Sequence, residues 1–236
     1  MKHIVVFFIT ILFFTGCAEN KVKVLLEAPE AEFFPRWIMD DSLHSDQTSG
    51  ITFIGEVGES NYFLLADDVG GLNRLTITSD TIFKIDKISF SSNVIAFFDT
   101  FPKPDFEEIG YDKIQNKLFL SIEGNNYGKR NSKRKEIDIT SFAGIYELEF
   151  KDKNIFADTL VSIKKLNIQP KEKFYEFVKS NIGFEGFAFD DDYFYAGLEG
   201  FSEQNIFADS TIIYIIDRGT KKIVKVINES ALKSYK

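Results

Sequence analysis

One short unit recurs three times in this chain, and it limits the possible folds more than any other feature. In its clearest copy, Gly183-Phe184-Glu185-Gly186-Phe187-Ala188-Phe189-Asp190 is followed by Asp191-Asp192-Tyr193-Phe194-Tyr195-Ala196-Gly197-Leu198-Glu199. An acid and a glycine open an alternating apolar run, an acidic turn follows, and a second apolar run ends on another acid. Ser49-Gly50-Ile51-Thr52-Phe53 with Leu65-Ala66-Asp67-Asp68 has the same design. So does Phe106-Glu107-Glu108-Ile109-Gly110-Tyr111-Asp112 with Ser121-Ile122-Glu123. Alternation with a period of two, bounded by Gly, Asp and Asn, is the pattern of a half-buried strand hairpin. A supersecondary unit repeated along one chain indicates stacked repeats, each burying a face of its neighbour.

Further strands extend each unit. After the first hairpin, with a turn expected over Gly55–Ser60, come Asn73-Arg74-Leu75-Thr76-Ile77 and an outer strand over Asp80–Ile88. The second unit continues through Gly144–Phe150, a turn at Lys151–Asn154 and an outer strand over Thr159–Leu166. Phe174, Phe177 and Val178 share one face of a short helix expected over Lys171–Asn181. The third unit is completed by Ile212–Asp217, a turn at Arg218–Lys221 and Ile223–Ile227. Four short strands are the size of one propeller blade. The 26 Phe and 9 Tyr suit pleated, half-buried surfaces. The expected fold is therefore all-β, a β-propeller of four-stranded blades. The motifs recur at spacings of 58 and 78 residues, wider than the ~40–45 of ordinary propeller repeats, so long loops or a degenerate blade must fill the surplus. The chain stops soon after its last strand, so the propeller is expected to be incomplete at the C-terminus or to close with fewer blades. In the latter case Val22–Leu26 would serve as a closing strand. The pentapeptide Asn-Ile-Phe-Ala-Asp starts at both Asn154 and Asn205, at different points of the unit, without an evident reason.

The first residues lie outside this pattern. Lys2 and His3 precede an apolar run, Ile4–Phe14, too short to span a bilayer as a helix. Phe14-Thr15-Gly16-Cys17 follows and resembles the lipobox of bacterial lipoproteins, whose Cys becomes the acylated first residue. The expected organisation is a signal peptide over 1–17 ending at the lipidated Cys17, a tether over 18–32, and the propeller over 33–236, with Trp37 buried against the first unit. Ala18 after the Cys favours outer-membrane sorting by analogy, placing the protein in the cell envelope on the periplasmic or surface side. The other reading is an ordinary secretory signal with an incidental Cys.

The three units resemble the phytase-like β-propellers, the family described as having "esterase-like activity of phytase", and the related SdiA-regulated propellers. The residues that carry the resemblance are Ser49-Gly50-Ile51 with Asp67-Asp68, Phe106–Ile109 with Glu123, and Phe184-Glu185-Gly186 with Glu199, in the family's order. Glu108 stands where the family has Gly. The resemblance implies a calcium-assisted phosphoesterase-like activity as one expectation.

Aligned by the repeats, Asp67, Asp68, Glu107, Glu108, Glu123, Glu185 and Glu199 are expected to converge on one rim. Carboxylates brought that close repel unless a cation compensates them, and an all-oxygen donor set at a flexible rim suits Ca²⁺. The alternative is that these acids bond backbone N–H groups and lock blade to blade. In the polar insert after Glu123, Lys129, Arg130, Lys133 and Arg134 are candidates for holding an anion, or form a solvated loop.

Other chemistries are poorly served. A formal charge of −8 disfavours nucleic acid as a partner. One Cys excludes an internal disulfide and a Cys-based zinc site. Of two His, only His44, expected in a polar turn, lies beyond the leader, so His₂ sites and His-dependent triads are not built. The expected function is a lipid-anchored, monomeric envelope module. It binds Ca²⁺ and a small-molecule or protein ligand on its acidic face, with Ca²⁺-dependent phosphoester hydrolysis as the alternative.

Overall fold

The computed structural model describes residues 39–40, 43–44, 47–79, 82–101, 104–124, 138–180, 182–199 and 211–228, all within one compact unit, Pro35–Lys236. A two-residue ladder pairs β1 (Met39–Asp40) with β2 (Leu43–His44), so His44 lies on a short strand where a turn was expected. Three meandering sheets follow. The first is β3 (Thr48–Val57), β4 (Ser60–Asp67), β5 (Gly71–Ser79) and β6 (Ile82–Lys87), hydrogen-bonded in sequence order. Next come β7 (Ser89–Phe90) and helix α1 (Ser92–Phe98), then β8 (Pro104–Asp112), β9 (Lys117–Gly124), β10 (Gly144–Phe150) and β11 (Thr159–Lys165). β7 joins β11 in parallel, making this second sheet five-stranded. The four-residue helix α2 (Lys171–Phe174) leads to the third sheet: β12 (Phe184–Phe189), β13 (Tyr193–Leu198), β14 (Ile212–Asp217) and β15 (Ile223–Asn228).

This is a β-propeller architecture, with β3, β8 and β12 as adjoining innermost strands. Gly50 shows how closely the first two approach. A Cβ there would lie 2.6 Å from the Glu107 carbonyl oxygen and 2.7 Å from the Ile109 nitrogen, so only glycine fits. A Cβ on Gly110 would likewise meet the Phe189 ring at 2.6 Å.

The alternation in β9 divides its side chains between two cores. Leu118, Leu120 and Ile122 face the first blade, packing with Ile54, Leu64, Ala66 and Leu72. Phe119 faces the third blade and enters a cluster with Phe187, Phe194 and Phe184. Burial on both sides explains why Leu118–Ile122 of β9 is apolar but for Ser121. Helix α1 occupies the crossing between blades one and two and buries Val94 and Phe98, four positions apart on one face. Phe98 contacts Phe90, Phe101 and Phe106 there.

The structure departs from the sequence reading at several elements. Gly55 is not a turn residue; it lies inside β3 at a register shift, with φ of 141° and the Phe156 ring against it, and the turn is confined to Gly58 and Glu59. The expected helix over Lys171–Asn181 stops at Phe174, because the following aromatic residues pack individually. Phe174 stacks on Phe184 at 4.3 Å and Tyr175 meets Phe174 edge-on. The first Asn-Ile-Phe-Ala-Asp copy is an inter-blade contact: Phe156 meets Tyr62 edge-on and the Ala157 carbonyl accepts from Arg74. The second copy, Trp37, the 1–17 and 18–32 segments with Cys17, and Val22–Leu26 lie outside the described residues.

Candidate functional site: a carboxylate centre at the blade rim

Each innermost strand has a register shift where the repeated motif falls: Thr48/Gly50 in β3, Phe106/Ile109 in β8 and Phe184/Gly186 in β12. A bulge leaves a residue out of the ladder and re-aims its side chain. The residues so released are Ser49, Glu107 with Glu108, and Glu185. In β8, Ser121 supports the bulge from β9, its hydroxyl accepting from the Glu108 N–H at 2.9 Å.

The bulges in β8 and β12 bring together a group of acids. Oxygens of Asp105, Glu107 and Glu123 lie within 4.8 Å of one another, and so do those of Glu123, Glu185 and Glu199. Glu123 belongs to both sets. It is 3% exposed, and its Oε1 has no hydrogen-bond partner among the described residues. Asp105 stands directly across the ladder from Glu123, a pairing that destabilises a sheet when both carboxylates are ionised. Gly183 presses on Glu123, its would-be Cβ 2.6 Å from Cγ.

Burial, then the neighbouring carboxylates led by Glu185, push Glu107 up to about 8 and Glu123 up to about 9. Burial and then Glu199 raise Glu185 as well, while it accepts hydrogen bonds from the carboxyls of Glu107 and Glu123. Protons on Glu107 and Glu123 therefore hold the cluster together, occupying the electrostatic role that a cation could fill.

Of the seven acids expected to converge, Glu107, Glu123, Glu185 and Glu199 do so. Asp68 acts on Glu107 only as a nearby charge. Asp67 is turned into its own blade, accepting from the Thr48 hydroxyl at 3.0 Å and the Asn73 amide at 2.7 Å. Glu108 points the other way from its neighbour and accepts from the backbone N–H groups of Ile109, at 3.0 Å, and Ile51. It therefore ties the middle blade to the first, the structural role weighed for these acids as a whole. Asp105 was missed, because it precedes the motif and only the cross-strand register aligns it with Glu123. Lys129, Arg130, Lys133 and Arg134 lie outside the described residues.

A cleft of ≈ 650 Å³ opens on the same rim, lined by the Asp67–Asn73 turn, Lys87–Phe90 and Ile95. Val69 and Ile95 present apolar surface to it while 52% and 48% exposed. Its size and mixed lining are those of small-molecule sites.

No protein-family model matches the chain, and no curated protein matches it. Among solved structures, a variant of an exo-β-1,3-galactanase from Phanerochaete chrysosporium with β-1,3-galactotriose aligns at a TM-score of 0.43 and 13% identity, covering 81% of this chain and 41% of that one. A GH43 β-1,3-galactosidase with galactodeoxynojirimycin aligns at 0.40 and 13%, covering 82% and 64%. The chain thus spans less than two thirds of either enzyme. The three consecutive blades, with their adjoining innermost strands, are what make this chain a β-propeller.

Proposed function

We propose that this protein is a binding module anchored to the cell envelope through Cys17, which holds Ca²⁺ among Asp105, Glu107, Glu123, Glu185 and Glu199 and takes a ligand on that same face. The observation that carries this reading is Glu123, fully buried among other carboxyl groups with one oxygen unpartnered. Two oxygens bound to one Ca²⁺ at 2.3–2.6 Å can be at most about 5 Å apart, which both acid triads satisfy. The donor set contains oxygen only, as a hard cation requires. Ca²⁺ bound there would displace the shared protons and compensate the charges that their loss leaves on the carboxylates. The ligand would lie in the cleft beside the Asp67–Asn73 turn, where exposed Val69 and Ile95 supply apolar contact.

The test is a Ca²⁺ titration of the protein followed by melting temperature. A ligand at a hundredfold excess over its Kd stabilises by about 2.7 kcal/mol, a rise of several degrees. Glu123→Gln is expected to abolish the rise, while Glu108→Gln retains it, because the Glu108 carboxylate is engaged by backbone N–H groups. Absence of any rise at about 5 mM Ca²⁺ would sink the proposal. Turnover of p-nitrophenyl phosphate or phytate that requires Ca²⁺ and Glu185 would replace a binding role by the phosphoesterase alternative.

A further inference from the structure

A second cleft, of ≈ 270 Å³, lies outboard on the middle blade and is lined by Thr140, Ser141, Lys165–Ile168, Lys171 and Tyr175. The meander places it on the rim that carries Glu123, since Gly144 at the start of β10 pairs with Ile122 and Lys165 ends β11. Its polar groups are of one kind. Lys165 and Lys171 bring ammonium groups, and Ser141 and Tyr175 bring hydroxyls. Asn167 spends its carbonyl oxygen accepting from Gln169 at 2.7 Å, which leaves its NH₂ as a donor. Among the described residues no carboxylate lines the cleft. Asp138 is nearby, but its Oδ1 is occupied by the Thr140 N–H and hydroxyl.

Lys165 is held in place rather than left to solvent. Its Nζ donates to the Thr140 carbonyl at 2.7 Å and lies 4.7 Å from the centre of the Tyr175 ring. An ammonium has three donors, of which the Thr140 carbonyl takes one. Gly144 keeps this arrangement open, because a Cβ there would lie 2.8 Å from the Tyr175 hydroxyl and 2.9 Å from the Lys165 Cε.

We infer that this cleft is a binding site for a tetrahedral oxyanion, a phosphate or sulfate group, gripped between Lys165 and Lys171 with Ser141, Asn167 and Tyr175 as neutral donors. Several separate donors, two of them cationic, suit an anion with divergent oxygens. Burial first and the charge of Lys171 second lower Lys165 to about 8, with Asp138 opposing them in part, and an anion bound beside the two lysines would relieve the remainder. The cleft is several times larger than one such group, so it has room for a hydrated free anion or for the anionic group of a larger ligand.

The test is calorimetric titration of the full-length protein with inorganic phosphate, and separately with sulfate, at constant ionic strength set by chloride. Saturable binding is expected with both anions. Lys171→Gln, at an exposed position, is expected to weaken it about tenfold, the worth of one charged hydrogen bond. Lys165→Met is expected to abolish it, with unchanged far-ultraviolet dichroism showing that the fold persists. Glu123→Gln, and replacement of Lys129, Arg130, Lys133 and Arg134 by Gln, should both leave the affinity unchanged. Saturation by phosphate alone supports the site and narrows it to phosphate. No saturable heat up to about 10 mM of either anion, wild-type affinity in Lys171→Gln, or loss only in the Lys129–Arg134 replacement would each overturn the assignment.

Discussion

Glu107 and Glu123 make stability depend on pH in a direction unusual for acidic side chains. Both have folded-state pKa values raised from the ordinary 4.5, to about 8 and about 9. Between those limits the folded chain binds more protons than the unfolded one, so stability falls as pH rises. The contribution is fully present below about pH 4.5 and is lost progressively up to about pH 9. In the presence of a chelator, the melting temperature should therefore decline from about pH 5 to about pH 9, and Glu123→Gln should flatten the decline. An equal slope in the variant would mean that the protons are held elsewhere. Gly50 offers a second test at this scale. Its α-hydrogens face the Glu107 carbonyl, and Gly50→Ala forces β3 and β8 apart. Overpacking of this kind costs about 1–3 kcal/mol, to be read from urea denaturation, and the lost approach should also weaken any Ca²⁺ response.

At the level of elements, the two ends of the blades have different tasks. The acid centre occupies the end where β8 begins and β9 finishes. The opposite end carries aspartate turns, with Asp112 accepting from Ile114 and Gln115, Asp190 from Asp192 and Tyr193, and Asp217 from Thr220. Arg218 connects two of these turns. It is 7% exposed and pairs with Asp112 of the middle blade, donates to the Asp190 carbonyl, and lies over the rings of Phe119, Phe189 and Phe194. Removing one partner of a buried pair leaves the other uncompensated, so Arg218→Ala is expected to cost about 3–5 kcal/mol in equilibrium unfolding. Lys is a poor substitute, because it lacks the planar fork that reaches both acceptors. The double change Arg218→Met with Asp112→Asn, which keeps an acceptor for the Ile114 and Gln115 N–H groups, should be milder than Arg218→Ala; a larger loss would show that the pair itself is a net source of stability. In the sequence, Arg218 is merely the first residue of a turn. Its burial is decided by the neighbouring blade and leaves no local sign. Helix α1 was also unassigned from sequence, although Ser91 followed by Val94 and Phe98 carries the spacing of a short amphipathic helix.

For the molecule as a whole, the repeated hairpins, their alternation and their turns were legible in the sequence because they depend on local chemistry. Period-two burial, glycine where backbones meet, and Asp or Asn at turns need only a few neighbouring residues to be recognised. The sequence by itself therefore determined the all-β class, the blade unit and most of the acids from which a site could be drawn. Which acids meet was decided by the tertiary structure. Glu107 and Glu108 are adjacent, yet a bulge supported by Ser121 sends the first into the acid centre and the second to the backbone of another blade. Asp105 joins through cross-strand register, and Asp67 is drawn away by Thr48 and Asn73. A one-residue displacement in a strand reverses the face of every side chain. For that reason the composition of the site rests on ladder register and blade packing, which are long-range properties that no stretch of the chain carries alone.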